Sequence, residues 1–247
     1  MELFYTTREF IDLDAAKVTI AGDEFHHLTR VLRKKTGERM LVTDGNGLRC
    51  EVNITAVGKK SLEGEILGHS LIEKSGTEVA VALSMLKSPQ RFDFFLEKAT
   101  ELGISEIIPM ITRRTVSQPS NEKIEGKITR WNNILLSAAR QSKRYYLPEL
   151  HVPRPFSTVV RLEGYDVRLI PYEGSAKPPV FAPSGYKILF LIGPEGGFTP
   201  GEVEEAKVEG FIEMSLGKTI LRAETAAIFA VAMVRSQLLE RSEKEWL

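Results

Sequence analysis

Hydrophobic and polar positions alternate in two different ways along this chain. Up to about residue 70 the apolar positions come in short runs. Leu48, Cys50, Val52 and Ile54 alternate cleanly, and with Arg39–Asp44 they flank Asp44-Gly-Asn-Gly47, a strong hairpin signal. Ser61–Leu67 adds a further strand, so this part reads as a small antiparallel sheet or barrel. Within it, Phe25, Leu28, Val31 and Leu32 recur at helical spacing, which predicts a helix over Gly22–Gly37 with Asp23 as cap and Gly37 as terminator. Ile72–Thr77 reads as a linker. From Glu78 onward strands and helices alternate, the pattern of a parallel sheet with covering helices. Val79–Leu83, Ile104–Met110, Val167–Glu173, Lys187–Ile192 and Phe211–Leu216 read as strands. Helices are predicted from Ser88-Pro89 to Gly103, from about Glu122 to Gln141, from Thr199 to Gly210 and from about Ala223 to Arg241.

The segment around which this pattern turns is Lys187-Ile-Leu-Phe-Leu-Ile192, followed by Gly193-Pro-Glu-Gly-Gly-Phe198 and Thr199-Pro-Gly-Glu202. An unbroken apolar run suits a strand buried on both faces. The three glycines permit close backbone approach and leave amides free to donate. Thr199, Pro200 and Glu202 match a capping box with proline at the first helical position. Loops after Ile170, Ile192 and Leu216 all leave the carboxyl edge of the expected parallel sheet, where ligands bind in such folds.

Composition narrows the choice mainly by exclusion. Thirty-three basic and 33 acidic side chains cancel, so any nucleic-acid surface must be a local patch. His27, Arg30 and Lys34, with Arg33 and Lys35 beside them, offer one such patch on the predicted early helix, open to a solvated face or to RNA. Arg140, Lys143 and Arg144 gather where the long helix ends, next to Tyr145 and Tyr146. There they either cap the helix dipole beside packed aromatics or hold phosphates and stack bases. A lone cysteine, Cys50, excludes an intrachain disulfide framework and, with the N-terminal sequence lacking an export signal, points to the cytoplasm. No run approaches the roughly 18 apolar residues of a membrane span. Four histidines show no metal-ligand spacing. Gly217-Lys-Thr219 lacks the earlier glycine of a phosphate loop, and Gly193-Pro-Glu-Gly-Gly is not a dinucleotide fingerprint.

Leu191-Ile-Gly-Pro-Glu-Gly-Gly-Phe198 and Ser215-Leu-Gly-Lys-Thr-Ile-Leu-Arg-Ala-Glu-Thr-Ala226 resemble the two signature loops of the ribosomal RNA small subunit methyltransferase E family, part of the SPOUT superfamily of trefoil-knotted methyltransferases. His26–Arg33 is similar to the family's N-terminal RNA-binding motif, and Phe92–Gly103 and Ala138–Arg144 to its middle motifs. The last of these departs at position 140, where the family pattern is acidic and this chain has Arg140.

The resemblance implies an α/β chain with a PUA-like RNA-binding β-barrel domain over residues 1–72, then a SPOUT parallel-sheet domain with a C-terminal knot over 73–247. It implies S-adenosylmethionine as cofactor, methylation of N3 of a uridine in 16S ribosomal RNA, and a cytoplasmic homodimer without metal or membrane attachment. The implied substrate is small-subunit ribosomal RNA or the assembled 30S subunit. Ile170, Pro171, Tyr172 and Glu173, then Ile192, Gly193, Pro194, Gly196 and Gly197, then Ser215, Leu216, Gly217, Ile220 and Leu221 would cradle the cofactor. Glu195 is the expected proton acceptor or cofactor clamp, and Arg222 the stabiliser of charge on the uracil. Arg8, His27, Arg30, Arg33, Lys34, Lys87, Arg91 and Arg144 are expected to meet RNA. The rival readings are a SPOUT enzyme acting on a ribose hydroxyl or another base, and a non-enzymatic RNA-binding dimer.

Overall fold

The computed structural model describes residues 1–116, 121–177 and 184–242. They form two units, Met1–Lys74 with Ala139–Leu147, and Ser75–Ala138 with Pro148–Leu247.

In the first unit the alternating runs become a six-stranded sheet of β1 (Leu3–Tyr5), β2 (Ile11–Asp12), β3 (Lys17–Ala21), β4 (Arg39–Thr43), β5 (Leu48–Val57) and β6 (Ser61–Leu71), ordered β1-β4-β5-β6-β3-β2. Only the β1–β4 pair is parallel. Leu48, Cys50, Val52 and Ile54 all point into a core with Phe4, Ile20, Leu28 and Met40, as their period of two requires. Burial, helped by Asp44, pushes the Cys50 thiol up to about 11, which leaves it an inert packing group.

The early helix differs from the sequence expectation. A short α1 (Gly22–His26) widens into a π-helical turn over His27–Val31, and the helix is over at Leu32 rather than Gly37. Leu32 N–H donates to the His27 carbonyl at 3.1 Å, and Lys34 N–H to the Leu28 carbonyl at 3.0 Å. Arg33 between them is left-handed, with φ 55°. Phe25 and Leu28 stay in the core while Val31 is exposed, and the wider turn disrupts the three-and-four spacing that would align His27, Arg30 and Lys34 on one stripe. Lys34 is committed elsewhere, to Glu2 at 2.9 Å and Glu38 at 3.2 Å.

Residues 139–147 are built into this same unit. Arg140 pairs with Glu24 at 2.7 Å, whose other carboxylate oxygen accepts the Tyr5 amide. The Tyr5 hydroxyl donates to the Arg144 carbonyl, and the Tyr146 hydroxyl to that of Ile72 at 2.9 Å. Gly47 N–H reaches the Tyr145 carbonyl at 2.9 Å. Tyr146 is therefore a packing group. A Cβ on Gly47, which sits at φ +95°, would lie 2.2 Å from the Tyr146 hydroxyl oxygen. Gly47→Ala is thus expected to cost about 2–4 kcal/mol, combining backbone strain with overpacking. Urea midpoints read this against Gly68→Ala, whose Cβ meets nothing within 4 Å.

In the second unit the strands are β7 (Glu78–Ser84), β8 (Glu106–Ile111), β9 (Glu149–Leu150), β10 (Arg154–Pro155), β11 (Val167–Pro171), β12 (Lys187–Ile192) and β13 (Ile212–Met214). Its helices are α2 (Pro89–Leu102), α3 (Asn121–Gln141, whose last turn belongs with the first unit), α4 (Phe156–Val159), α5 (Pro200–Val208) and α6 (Ala223–Ser242). Among the described residues every pairing is parallel, in the order β10-β8-β7-β12-β11-β13, with β9 beside β8. Residue parity explains the unbroken apolar runs. Val79, Val81, Leu83, Ile188, Phe190 and Ile192 face α2, α3 and α6, while Ala80, Ala82, Leu189 and Leu191 face α4 and α5. The short β9, β10 and α4 carry no periodic signal and were not expected. Among the described residues no helix is long and apolar enough to cross a membrane.

At the amino edge of this sheet, opposite the strand-exit loops, Glu106 opens β8 and Lys187 opens β12. The Glu106 carboxylate takes His151 at 2.8 Å and Lys187 at 3.2 Å. Glu149 joins them, so two carboxylates and an imidazole lie within 4.8 Å of one another, a grouping that residue spacing did not reveal. The Lys187 ammonium already occupies this carboxylate, which makes the cluster an ion-pair network. Burial pushes the Glu106 pKa up, but hydrogen bonds from His151, Tyr165 and Lys187 together outweigh it and hold the group down at about 2. A depressed carboxylate stabilises the fold fully above its unfolded value and loses that contribution as pH falls through the folded one. Relative to Glu106→Gln, the protein is expected to lose roughly 2 kcal/mol of unfolding free energy, after allowance for solvent screening, between about pH 4.5 and pH 2. Denaturant titrations at stepped pH measure the difference.

Candidate active site

Because β12, β11 and β13 are neighbours and all parallel, their exit loops meet on the carboxyl edge. Residues 171–173, 192–195, 197, 198 and 215–222 enclose a cavity of about 360 Å³, closed by Arg91 of α2 and by Ala223 and Ala226 of α6. That volume falls within the range of small-molecule sites. The loops are joined by backbone bonds: Tyr172 N–H donates to the Met214 carbonyl at 3.0 Å and Ser215 N–H to that of Lys177 at 2.7 Å.

The glycine loop folds tightly on itself. Gly197 N–H reaches the Pro194 carbonyl at 2.9 Å, with Gly197 at φ +65°. The atoms nearest a Cβ on Gly193 would be backbone, the Gly197 carbonyl carbon and the Phe198 nitrogen, both at 3.2 Å. The predicted capping box is present: Thr199 Oγ1 accepts from Glu202 N–H at 3.3 Å, and Glu202 Oε2 accepts from Thr199 N–H at 2.8 Å. Buried Glu202 uses its second oxygen for the Arg113 amide at 2.8 Å.

Nearly all the residues expected to hold the cofactor line this cavity. Ile170 does not; it is fully buried within the sheet. Gly196 faces the Arg114 side chain. Phe198, Lys218, Thr219, Ala223 and Ala226 also stand in the wall, all in or beside the signature loops. Glu195 is exposed on the wall, with Oε1 accepting the Lys87 amide at 3.0 Å. Arg222 is exposed on the wall, and its guanidinium has no hydrogen-bond or ion-pair partner among the described residues. The Glu224 carboxylate lies 3.6 Å from the Arg91 guanidinium, in the first turn of α6 where the helix dipole favours negative charge.

The residues expected to meet RNA fall in both units. Lys87 and Arg91 belong to the second, Lys87 exposed and Arg91 in the cavity wall. Arg8, His27, Arg30, Arg33, Lys34 and Arg144 belong to the first. Arg30 and Arg33 are exposed; Arg8 reaches the Ile11 carbonyl at 2.5 Å.

The family model described as the RNA methyltransferase domain matches residues 73–235, and that of the RNA methyltransferase PUA domain matches residues 20–67. A ribosomal RNA small subunit methyltransferase E from Synechocystis is 33% identical over 235 residues, covering 90% of this chain and 74% of the relative. The chain belongs to the ribosomal RNA small subunit methyltransferase E family. A Bacillus subtilis member is 27% identical over 246 residues, covering 93% of this chain and 96% of its own length. The crystal structure of a Neisseria gonorrhoeae member bound to S-adenosylmethionine is similar with a TM-score of 0.85 and 29% identity, covering 96% of this chain and 97% of that one. Family membership and fold class, an α/β parallel-sheet domain preceded by a small PUA-like β domain, are as the resemblance implies.

Proposed function

We propose that the protein transfers the methyl group of S-adenosylmethionine to N3 of a uridine in small-subunit ribosomal RNA, as a cytoplasmic homodimer whose last helix passes through a trefoil knot and forms the dimer contact. The observation that carries this reading is the three-loop cavity with an uncommitted arginine, Arg222, in its wall. The residues present suit the cofactor. Carboxylates Glu173 and Glu195 complement a cation, loop amides and carbonyls serve an adenine edge and ribose, and Ile192, Leu216, Ile220 and Leu221 supply apolar wall. Bound there, S-adenosylmethionine supplies an electrophilic methyl group on a sulfonium.

The remaining chemistry falls to this chain. Uridine N3 carries a proton that must leave before the nitrogen attacks, and positioning is the main task once it has left. Arg222 stabilises the charge that develops on the uracil oxygens. Glu195 keeps one oxygen on the Lys87 amide and has the other for the proton or for the ligand. Lys87 and Arg91 beside the cavity, and Arg8, His27, Arg30, Arg33 and Arg144 in the first unit, take the RNA backbone, whereas Lys34 is engaged by Glu2 and Glu38. Those contacts make binding salt-dependent.

The deciding experiment incubates the protein with radiolabelled S-adenosylmethionine and small-subunit RNA, as naked RNA and as assembled subunit, and identifies the labelled nucleoside. Label on N3 of a single uridine supports the proposal, and label on a ribose or another base favours the rival SPOUT activity. If calorimetry shows that the cofactor does not bind, the non-enzymatic RNA-binding reading stands instead.

A further inference from the structure

We infer that Arg114 is a positioning residue that holds the glycine loop in its ligand-receiving shape, an inference that rests on reading the three-loop cavity as the cofactor site. Arg114 is outside the signature loops and outside the cavity wall, on the turn that follows β8. Its Nη1 donates to the Gly196 carbonyl at 2.5 Å and to the Phe198 carbonyl at 3.3 Å. Its aliphatic stem also lies against Gly196, whose added Cβ would meet Arg114 Cδ at 3.4 Å. One guanidinium nitrogen therefore bridges carbonyls on either side of Gly197, the residue whose positive φ gives the loop its bend. Such a bridge needs a donor placed to the side of the loop, and the planar, permanently charged guanidinium supplies one.

The turn that presents Arg114 is itself fixed from beneath. Ser84 at the end of β7, Thr112 and Thr115 form a buried hydroxyl cluster, with Ser84–Thr115 at 2.8 Å, Thr112–Thr115 at 2.9 Å and Ser84–Thr112 at 3.3 Å. Thr115 Oγ1 also accepts the Thr112 amide at 2.8 Å. Next to Arg114, the Arg113 amide is held by buried Glu202, the residue that closes the capping box of α5. On the other side, Glu195 is tied to the Lys87 amide. The loop is thus gripped from the β8 exit by Arg114 and from the β7 exit by Lys87, while its inner surface faces the cavity. Arg114 touches neither cavity nor reacting atoms, so it acts through the loop it holds.

The test compares wild type, Arg114→Ala and Arg114→Lys. Hydrogen exchange of the loop amides in the ligand-free protein reads the grip, calorimetry with S-adenosylmethionine reads its use, and thermal unfolding reads general damage. Loss of two carbonyl bonds is expected to speed exchange at Gly197 and weaken cofactor binding by about tenfold each, with the unfolding temperature nearly unchanged. Arg114→Lys, which keeps a cationic donor that reaches one carbonyl, recovers part of both. Unchanged exchange in both variants overturns the inference, as does faster exchange with unaltered cofactor affinity. A wild type that binds no cofactor overturns the cavity reading, and with it the role proposed for the grip; unchanged exchange with normal wild-type binding overturns the Arg114 inference alone.

Discussion

Arg222→Ala is expected to lower turnover by about 10²–10³-fold while leaving affinity for S-adenosylmethionine within about twofold of wild type, since a charge-stabilising donor acts on the transition state and not on the bound cofactor. The expectation comes from its surroundings. Arg222 immediately precedes α6, its carbonyl accepting from the Ala226 amide at 2.8 Å, so its backbone is fixed. Its side chain is exposed on the cavity wall and unpartnered among the described residues. Glu224, the carboxylate nearest in sequence, is engaged with Arg91. Single-turnover rates with saturating cofactor, alongside calorimetric affinity, separate the two quantities. A variant that turns over normally removes Arg222 from the mechanism, and one that loses cofactor binding moves it to the cofactor's side of the site.

The second large effect belongs to Gly193. The atoms nearest its Cβ position are backbone atoms of Gly197 and Phe198, which cannot rotate away as a side chain can. Gly193→Val therefore forces the two arms of the glycine loop apart. Cofactor affinity is expected to fall by about 10²-fold, because displaced wall atoms lose contacts with the ligand across the whole loop. The fold should survive, since β12 ends at Ile192 and the α5 cap at Thr199 lies beyond the strained point. Circular dichroism together with cofactor titration checks both halves of this statement. Wild-type affinity in the valine variant would mean that the loop is not a wall of the cofactor site.

Both expectations rest on features that the sequence carries locally. Thr199, Pro200 and Glu202 state a helix start within four residues, and the structure contains that capping box. The run from Lys187 to Ile192 states a doubly buried strand, and parity in the sheet shows why it has no polar alternation. Three strand exits on one edge follow from parallel topology, so the cavity was legible once the strands were. What escaped the sequence depends on partners far along the chain. Arg114 and Gly196 are 82 residues apart, Glu24 and Arg140 are 116 apart, and Glu106 and His151 are 45 apart. No short-range pattern encodes such pairings. The early helix failed for a different reason. Its apolar spacing, Phe25, Leu28, Val31 and Leu32, fits a regular helix, yet the backbone turns π-helical over His27–Val31 and leaves Val31 exposed, and no local spacing signals that wider turn.

The return of residues 139–147 to the first unit bears on the order in which the protein can be completed during synthesis. The amino-terminal sheet has all its strands once Leu71 has been made, yet the hydrogen bonds from Gly47 to Tyr145, from Leu147 to Gly45 and from Tyr146 to Ile72 have no partner at that stage. Glu24 likewise waits for Arg140. The nascent first unit carries an open seam while β7, α2, β8 and α3 are being made, and it closes only after the ribosome has passed Leu147.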